Sequence, residues 1–243
     1  MGTFNLTVDS IGITQTRSKH EDTNYLGLLL RLGSLDPMFT IQPLNDMNNG
    51  NHVVDVSIPG FDFGQDDILA FNYLVVNAGS TSPDQARAVL KAAQAAWLSG
   101  TGPVPPPPAP HLASANGIDT DYLVAQLAGI LRSSCDGIVA AEQNQLVFSQ
   151  LPISHLTSHP GTHSPSGCGN NSQYTVQWHI APAQVMPPLQ TKQDADNLKN
   201  AGFNVHEAGT GLYVQNQNPQ AGVWIDSTTN ISVALGTKKP IAN

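Results

Sequence analysis

His155, His159 and His163 recur at intervals of four in SHLTSHPGTHSPSGCG, residues 154–169, and Cys168 stands near the end of the run. Imidazole and thiolate are ordinary zinc ligands, so the first chemistry to weigh is a three-histidine metal site. On a helix this spacing puts all three rings on one face, but Pro160-Gly161 lies between the second and third and stops a helix there. On a strand the three rings also share a face, yet successive positions are about 13 Å apart, too far for one ion with Zn–N bonds of about 2 Å. Only a folded loop could gather them. The stretch therefore reads as a polar loop, with zinc at His155, His159 and His163 as the competing reading.

Cys135 and Cys168 are the two cysteines of the chain. A bridge between them closes a loop of 33 residues, which the chain-entropy model values at about 3 to 4 kcal/mol. It implies an oxidising destination. Two buried thiols are the alternative, since an even pair is weak evidence by itself.

Carboxylates offer a second metal chemistry. In NDMNNG, residues 45–50, aligning Gly50 with the glycine of a calcium-binding helix-loop-helix puts Met47 at a ligand position and Val56 where a bidentate glutamate belongs, so that motif fails. A looser calcium cage could draw on Asp22, Asp46, Asp62, Asp66 and Asp67, with Glu21 nearby, because sandwich loops cluster at the ends. The plainer explanation is that Asp and Asn form turns. Asp66 with Asp67, or Asp119 with Asp121, could serve a glycoside hydrolase, although Asp119 and Asp121 also suit a helix N-terminus. Nucleophile-elbow, zincin, phosphate-loop and dinucleotide signatures do not occur. A non-enzymatic chain without an obligatory cofactor is the reading that follows.

The elements that must position these residues alternate with period two. FNLTVDSIGIT, YLGLLLRLG, FTIQPL, HVVDVSIPG and ILAFNYLVVN read as strands of an antiparallel sandwich, and Asn49-Gly50 predicts a turn within a meander. Ser82-Pro83-Asp84-Gln85 predicts a capped helix through ARAVLKAAQAAWL. Residues 99–111, SGTGPVPPPPAPH, predict an extended proline-rich spacer. A second helix is expected from about Asp121 to Ser134, two short strands in CDGIVAAEQNQLVFSQL, and another strand in QYTVQWHIAP.

Composition narrows the class. The 243 residues include only 12% charged residues and carry a net charge of −8, which suits a loop-rich β protein outside the cell. No basic cluster exceeds Lys238-Lys239, so nucleic acid and a polybasic membrane patch are excluded. No apolar run approaches the roughly 20 residues of a membrane helix. The opening MGTFNLTVDSIG shows no ordinary signal peptide.

From Val185 the pattern changes. Pro187 is followed by DADNLKNAGF, a short helix ending at Ala201-Gly202-Phe203, then by strands LYVQNQ and TNISVAL around a turn at NPQAGV. These residues, above all Gln217-Asn218-Pro219-Gln220-Ala221-Gly222 followed by Ile231-Ser232-Val233-Ala234-Leu235, resemble the PASTA domain over residues 185–236. The resemblance implies a bacterial chain at the cell envelope, where some such domains recognise peptidoglycan fragments. The preceding part, with TRSKHEDTNY and SPSGCGNNSQYTVQW, resembles bacterial and fungal proteins of undefined activity.

The expectation is an α+β, mainly β chain. Residues 1–182 form an antiparallel β-sandwich-like domain with two helices and the spacer at 99–111, and residues 183–243 form a small β-α-β-β PASTA-like domain. Its expected function is non-enzymatic binding of a cell-wall glycan, a surface or a protein partner, extracellularly or at a cell surface. A polysaccharide hydrolase using carboxylates of the N-terminal loops, or a structural subunit of an extracellular assembly, are the alternatives. Outward-stacking Trp97, Trp178 and Trp224 would favour sugar binding.

Overall fold

A computed structural model describes residues 1–18, 22–79, 82–98, 136–160 and 171–239, with side chains described only to Ala93 in the helix that ends at Leu98. The described chain is mainly β. Twelve strands, β1 (Gly2–Gln15), β2 (Asp22–Leu32), β3 (Met38–Met47), β4 (Gly50–Phe63), β5 (Ile68–Asn77), β6 (Gly137–Val147), β7 (Ile153–His159), β8 (Gln173–Val185), β9 (Asn204–Ala208), β10 (Tyr213–Asn218), β11 (Trp224–Asp226) and β12 (Asn230–Gly236), accompany helices α1 (Pro83–Leu98) and α2 (Lys192–Asn200).

Two sheets face one another. The first runs β4, β1, β8, with β7 along the early part of the outer edge of β8 and β11 along its last residues. The second runs β3, β2, β5, β6. Their inner faces carry the apolar phase of each strand: Leu6, Val8, Ile11 and Ile13 of β1 and Tyr174, Val176, Trp178 and Ile180 of β8 meet Leu26, Leu28 and Leu30 of β2 and Leu69, Phe71, Tyr73 and Val75 of β5. Burying one such aliphatic or aromatic side chain contributes about 1.5 to 3 kcal/mol. The Phe71 and Trp178 rings pack edge to face across the two sheets, centroids 4.7 Å apart. Residues on both sides of the 99–135 stretch thus share one core.

Helix α1 covers part of the other face of the second sheet. Ala86, Val89, Leu90 and Ala93, spaced for one helical face, pack on Tyr25, Leu74, Val76 and Ile138. Ser82 caps it as the sequence predicts: the Gln85 amide donates to Ser82 Oγ at 3.4 Å, while Ser82 N donates back to Gln85 Oε1.

Three local expectations are corrected. The chain around Asn48-Asn49 does not close a hairpin, because β3 belongs to the second sheet and β4 to the first, where it pairs with β1. Asn45 and Gly50, at φ 61° and 145°, supply the backbone excursions flanking this change of sheet. Residues 137–147 form one strand followed by a single 3-10 turn, Phe148–Gln150, rather than two strands. Residues 153–159, expected as loop, are strand β7 on the edge of β8. Their Ser and Thr content masked a period-two pattern in which Ile153, His155, Thr157 and His159 face inward. The expected helix at 121–134 lies outside the described residues.

After β8, α2 packs Ala195 and Leu198 on a three-stranded sheet ordered β10, β12, β9, in which β12 and β9 run parallel. Thr191 caps α2 reciprocally with Asp194. The helix stops where Gly202 takes φ 95°, and Gly202 N and Phe203 N return to the carbonyls of Lys199 and Leu198. Between β10 and β12, the short β11 leaves this unit and pairs with the end of β8, placing Asp226 opposite Ala183.

Candidate functional site

The densest chemistry lies where the β6 edge of the second sheet meets β7. Register with β5 puts Glu142 opposite Tyr73 and Asn144 opposite Phe71, so a carboxylate and an amide enter the interior in the phase that Ala140 and Leu146 also occupy. Glu142 Oε2 accepts from Tyr73 Oη at 2.6 Å, Thr157 Oγ1 at 2.7 Å and Trp178 Nε1 at 3.2 Å. Tyr73 has a single hydroxyl proton and gives it to Glu142. The 2.7 Å contact between Tyr73 Oη and His159 Nε2 must therefore be donated by the imidazole. The result is a chain from His159 Nε2–H through Tyr73 Oη–H to the carboxylate.

Electrostatics keep the chain in that state. Burial opposes the Glu142 charge, but hydrogen bonds from Tyr73, Thr157 and Trp178 outweigh it and hold the carboxyl below its ordinary range. Burial and the Glu142 charge push the Tyr73 phenol far up. His159 is pushed down by burial, against the attraction of Glu142, and so stays neutral near pH 7. Such a carboxylate–phenol–imidazole set resembles acid–base machinery. Here, however, Glu142, Tyr73 and Trp178 are buried and bonded to one another rather than directed into an opening.

A second cluster joins the sandwich to the C-terminal unit. His179 of β8 lies between Asp9, 2.8 Å from Nδ1, and Asp226 of β11, 3.4 Å from Nε2. Asp226 also accepts from Asn5 Nδ2, from the Thr228 and Thr229 amides and from both their hydroxyls. Burial works against the imidazolium, but the hydrogen bonds and charges of Asp226 and Asp9 raise its pKa to about 9. Those bonds hold Asp226 well below the usual carboxylate range despite its burial. Beside this clamp the Trp224 indole lies against Gly60, φ 68°, where a Cβ would strike the ring.

The third cluster centres on Asp22, at the opposite end of the sandwich. Its Oδ1 accepts from Ser18 N at 2.7 Å and Asn77 Nδ2 at 2.9 Å. Its Oδ2 accepts from Arg17 N at 2.7 Å and Tyr174 Oη at 2.6 Å. Burial, with the charge of Asp22, drives the Tyr174 phenol far up.

These placements locate the residues singled out from sequence. His155 and His159 face inward from one strand, His155 against Trp178 and His159 on Tyr73. His163, Cys135 and Cys168 lie outside the described residues, so the three-histidine site and the bridge both fall there. The five aspartates do not converge. Asp22 and Asp46 sit at the end marked by the cross-strand partners Asp22 and Met47, whereas Asp62, Asp66 and Asp67 sit at the far end of β4 and in the turn after it. Asp46 accepts from Thr23, Asp62 from Thr3 and Asp67 from Gly64 N. Among the described residues no group of three His, Cys, Asp or Glu is placed to hold a metal ion. Trp178 is buried and Trp224 half-buried on Gly60, while the Trp97 side chain is outside the described set.

Sequence reading missed Glu142, His179 and Asp226. A charged residue in phase with Ala140 and Leu146 was the available signal for Glu142. Locally, Asp226 with Thr228 and Thr229 reads only as a turn, because its partners Asn5 and His179 are 221 and 47 residues away. A cavity of about 220 Å³ between β3 and β4, lined by Pro43, Asp46, His52 and Val54 among others, is smaller than ordinary ligand pockets of roughly 300 to 1,000 Å³.

No family model matches the sequence, and no curated protein matches it. Among solved structures, a C2 domain of plant Extended Synaptotagmin 1 aligns at TM-score 0.32 and 9% identity, over 74% of this chain and 95% of that one. A likeness this slight carries no argument about fold or function.

Proposed function

We propose that this chain is a non-enzymatic binding protein acting outside the cell or at its surface, and that it takes a surface protein as partner through the open face of its first sheet. The observation that carries this reading is the division of polar groups. Those able to do acid–base chemistry, Glu142, Tyr73, His159, Asp22 and Tyr174, are spent on one another inside. The outer face of the first sheet instead carries rows of uncharged side chains: Leu156, Gln177, Ser10 and Val53 in one, and Ser158, Thr175, Gly12 and Asn51 in the next. Leu156 and Val53 are 62% and 82% exposed at opposite edges of the first row. Such a face offers hydrogen bonds and two apolar contacts. Trp178, facing the interior, makes no platform for a sugar ring.

For the C-terminal unit we keep the PASTA-like reading, and one contact supports it. Gln217, the first residue of the motif, accepts from Leu189 N at 2.7 Å and donates to Pro187 O at 3.1 Å, so two parts of the sequence likeness are bonded together. An envelope setting follows from that likeness.

The test is cosedimentation with bacterial cell envelopes before and after protease digestion, with reducing ends measured in parallel. Retention that protease abolishes, without new reducing ends, is the expected result. Retention by stripped peptidoglycan would point to a glycan partner, and new reducing ends would overturn the non-enzymatic reading.

A further inference from the structure

We propose that the Asp22 end of the sandwich holds a small monovalent cation, sodium or potassium, coordinated by Asn24 Oδ1, Asn77 Oδ1 and Ser172 Oγ. All three atoms are buried without a hydrogen-bond partner among the described residues, and all three residues have no exposed surface. Buried acceptors left unmade carry a desolvation penalty, so the set calls for an occupant.

The asparagine orientations are forced. Asn24 and Asn77 are directly opposed partners of β2 and β5, in phase with the interior residues Leu26 and Val75. Asn77 Nδ2 donates to Asp22 Oδ1, and Asn24 Nδ2 donates to Tyr174 Oη at 3.1 Å. Flipping Asn77 would set its oxygen against a carboxylate. Flipping Asn24 would set its oxygen against a hydroxyl whose proton already goes to Asp22. Both carbonyl oxygens therefore turn away from the donors around them and remain acceptors. Ser172 stands two residues ahead of Tyr174, at the same end.

Charge selects a cation over a neutral occupant. Among the described residues, Arg17, Asp22 and Asp136 are buried here and sum to one formal negative charge. Arg17 lies close to Asp22 and Asp136, and its guanidinium fills the space over Gly137. Amide and hydroxyl oxygens without a free carboxylate suit a singly charged ion better than calcium, which draws on carboxylate ligands.

The experiment is thermal and urea unfolding of the full chain in sodium, potassium or choline chloride at equal ionic strength. The expected result is a higher midpoint with sodium or potassium than with choline. Above the dissociation constant, each tenfold rise in the free ion should lower the unfolding constant about tenfold. Ser172→Ala removes one ligand and should weaken that dependence, while Leu35→Ala, in the exposed turn after β2, should leave it intact. Direct binding is read from the sodium NMR linewidth, which should broaden with wild type and narrow on adding potassium. Equal midpoints in all three salts, with no broadening, would overturn the proposal and assign the site to water.

Discussion

Replacing His179 with Gln tests whether the Asp9–His179–Asp226 clamp fastens the C-terminal unit to the sandwich. The His179 side chain is 5% exposed, and that of Asp226 is 4% exposed. Folding raises the imidazole pKa from 6.5 to about 9, and each pKa unit corresponds to about 1.4 kcal/mol, so the charged form contributes about 3 kcal/mol. The folded chain keeps a proton that the unfolded chain releases as pH rises past 6.5. The contribution is whole below about pH 6.5, falls by about 1.4 kcal/mol per unit, and is gone above about pH 9. Urea unfolding from pH 6 to 10 should show that fall in wild type, and His179→Gln should remove it while leaving other titrations in place. Amide exchange in Trp224–Asp226 should accelerate in parallel. An identical pH slope in both proteins would refute the assignment of the charge to this clamp.

Tyr73→Phe removes the bond to Glu142 and should cost about 1 to 3 kcal/mol. In a double-mutant cycle with Glu142→Gln, chemical denaturation should give a coupling of about 0.5 to 3 kcal/mol. Because Glu142 is held below its ordinary pKa, its share of stability is present above about pH 4.5 and is lost as pH falls through the folded value. An acid titration of wild type against Glu142→Gln checks this. Gly60→Ala meets both a positive φ and the Trp224 ring, so it should destabilise by about 1 to 3 kcal/mol and alter Trp224 fluorescence. Thr191→Ala removes the cap of α2 and should cost about 1 kcal/mol by denaturation.

Period-two apolar patterns made most of the sandwich legible, because a strand buried on one face must alternate. Ser82 and Gln85 marked α1 for the same local reason, and Gly202 marked the end of α2. Sheet membership was not local: β3 and β4 look like hairpin partners, yet β4 pairs with β1, whose apolar phase becomes complementary only across the fold. The polar clusters were hidden likewise. Glu142 acquires Tyr73, Thr157 and Trp178 from three other strands, and β11 is three residues whose partner, β8, lies outside its own unit.

The central place of β1 sets a timetable for synthesis. Its partner on one side, β8, pairs Phe4 with Pro182, so about 170 residues separate the two strands along the nascent chain. At roughly 5 to 20 residues per second, β1 waits on the order of 10 to 30 s for β8 to leave the ribosome. During that interval Leu6, Val8 and Ile11 have β4 beside them but lack the strand that completes their sheet. Cellular yield should therefore depend on chaperones that shield this first strand, and a chain stopped before β8 should aggregate through it.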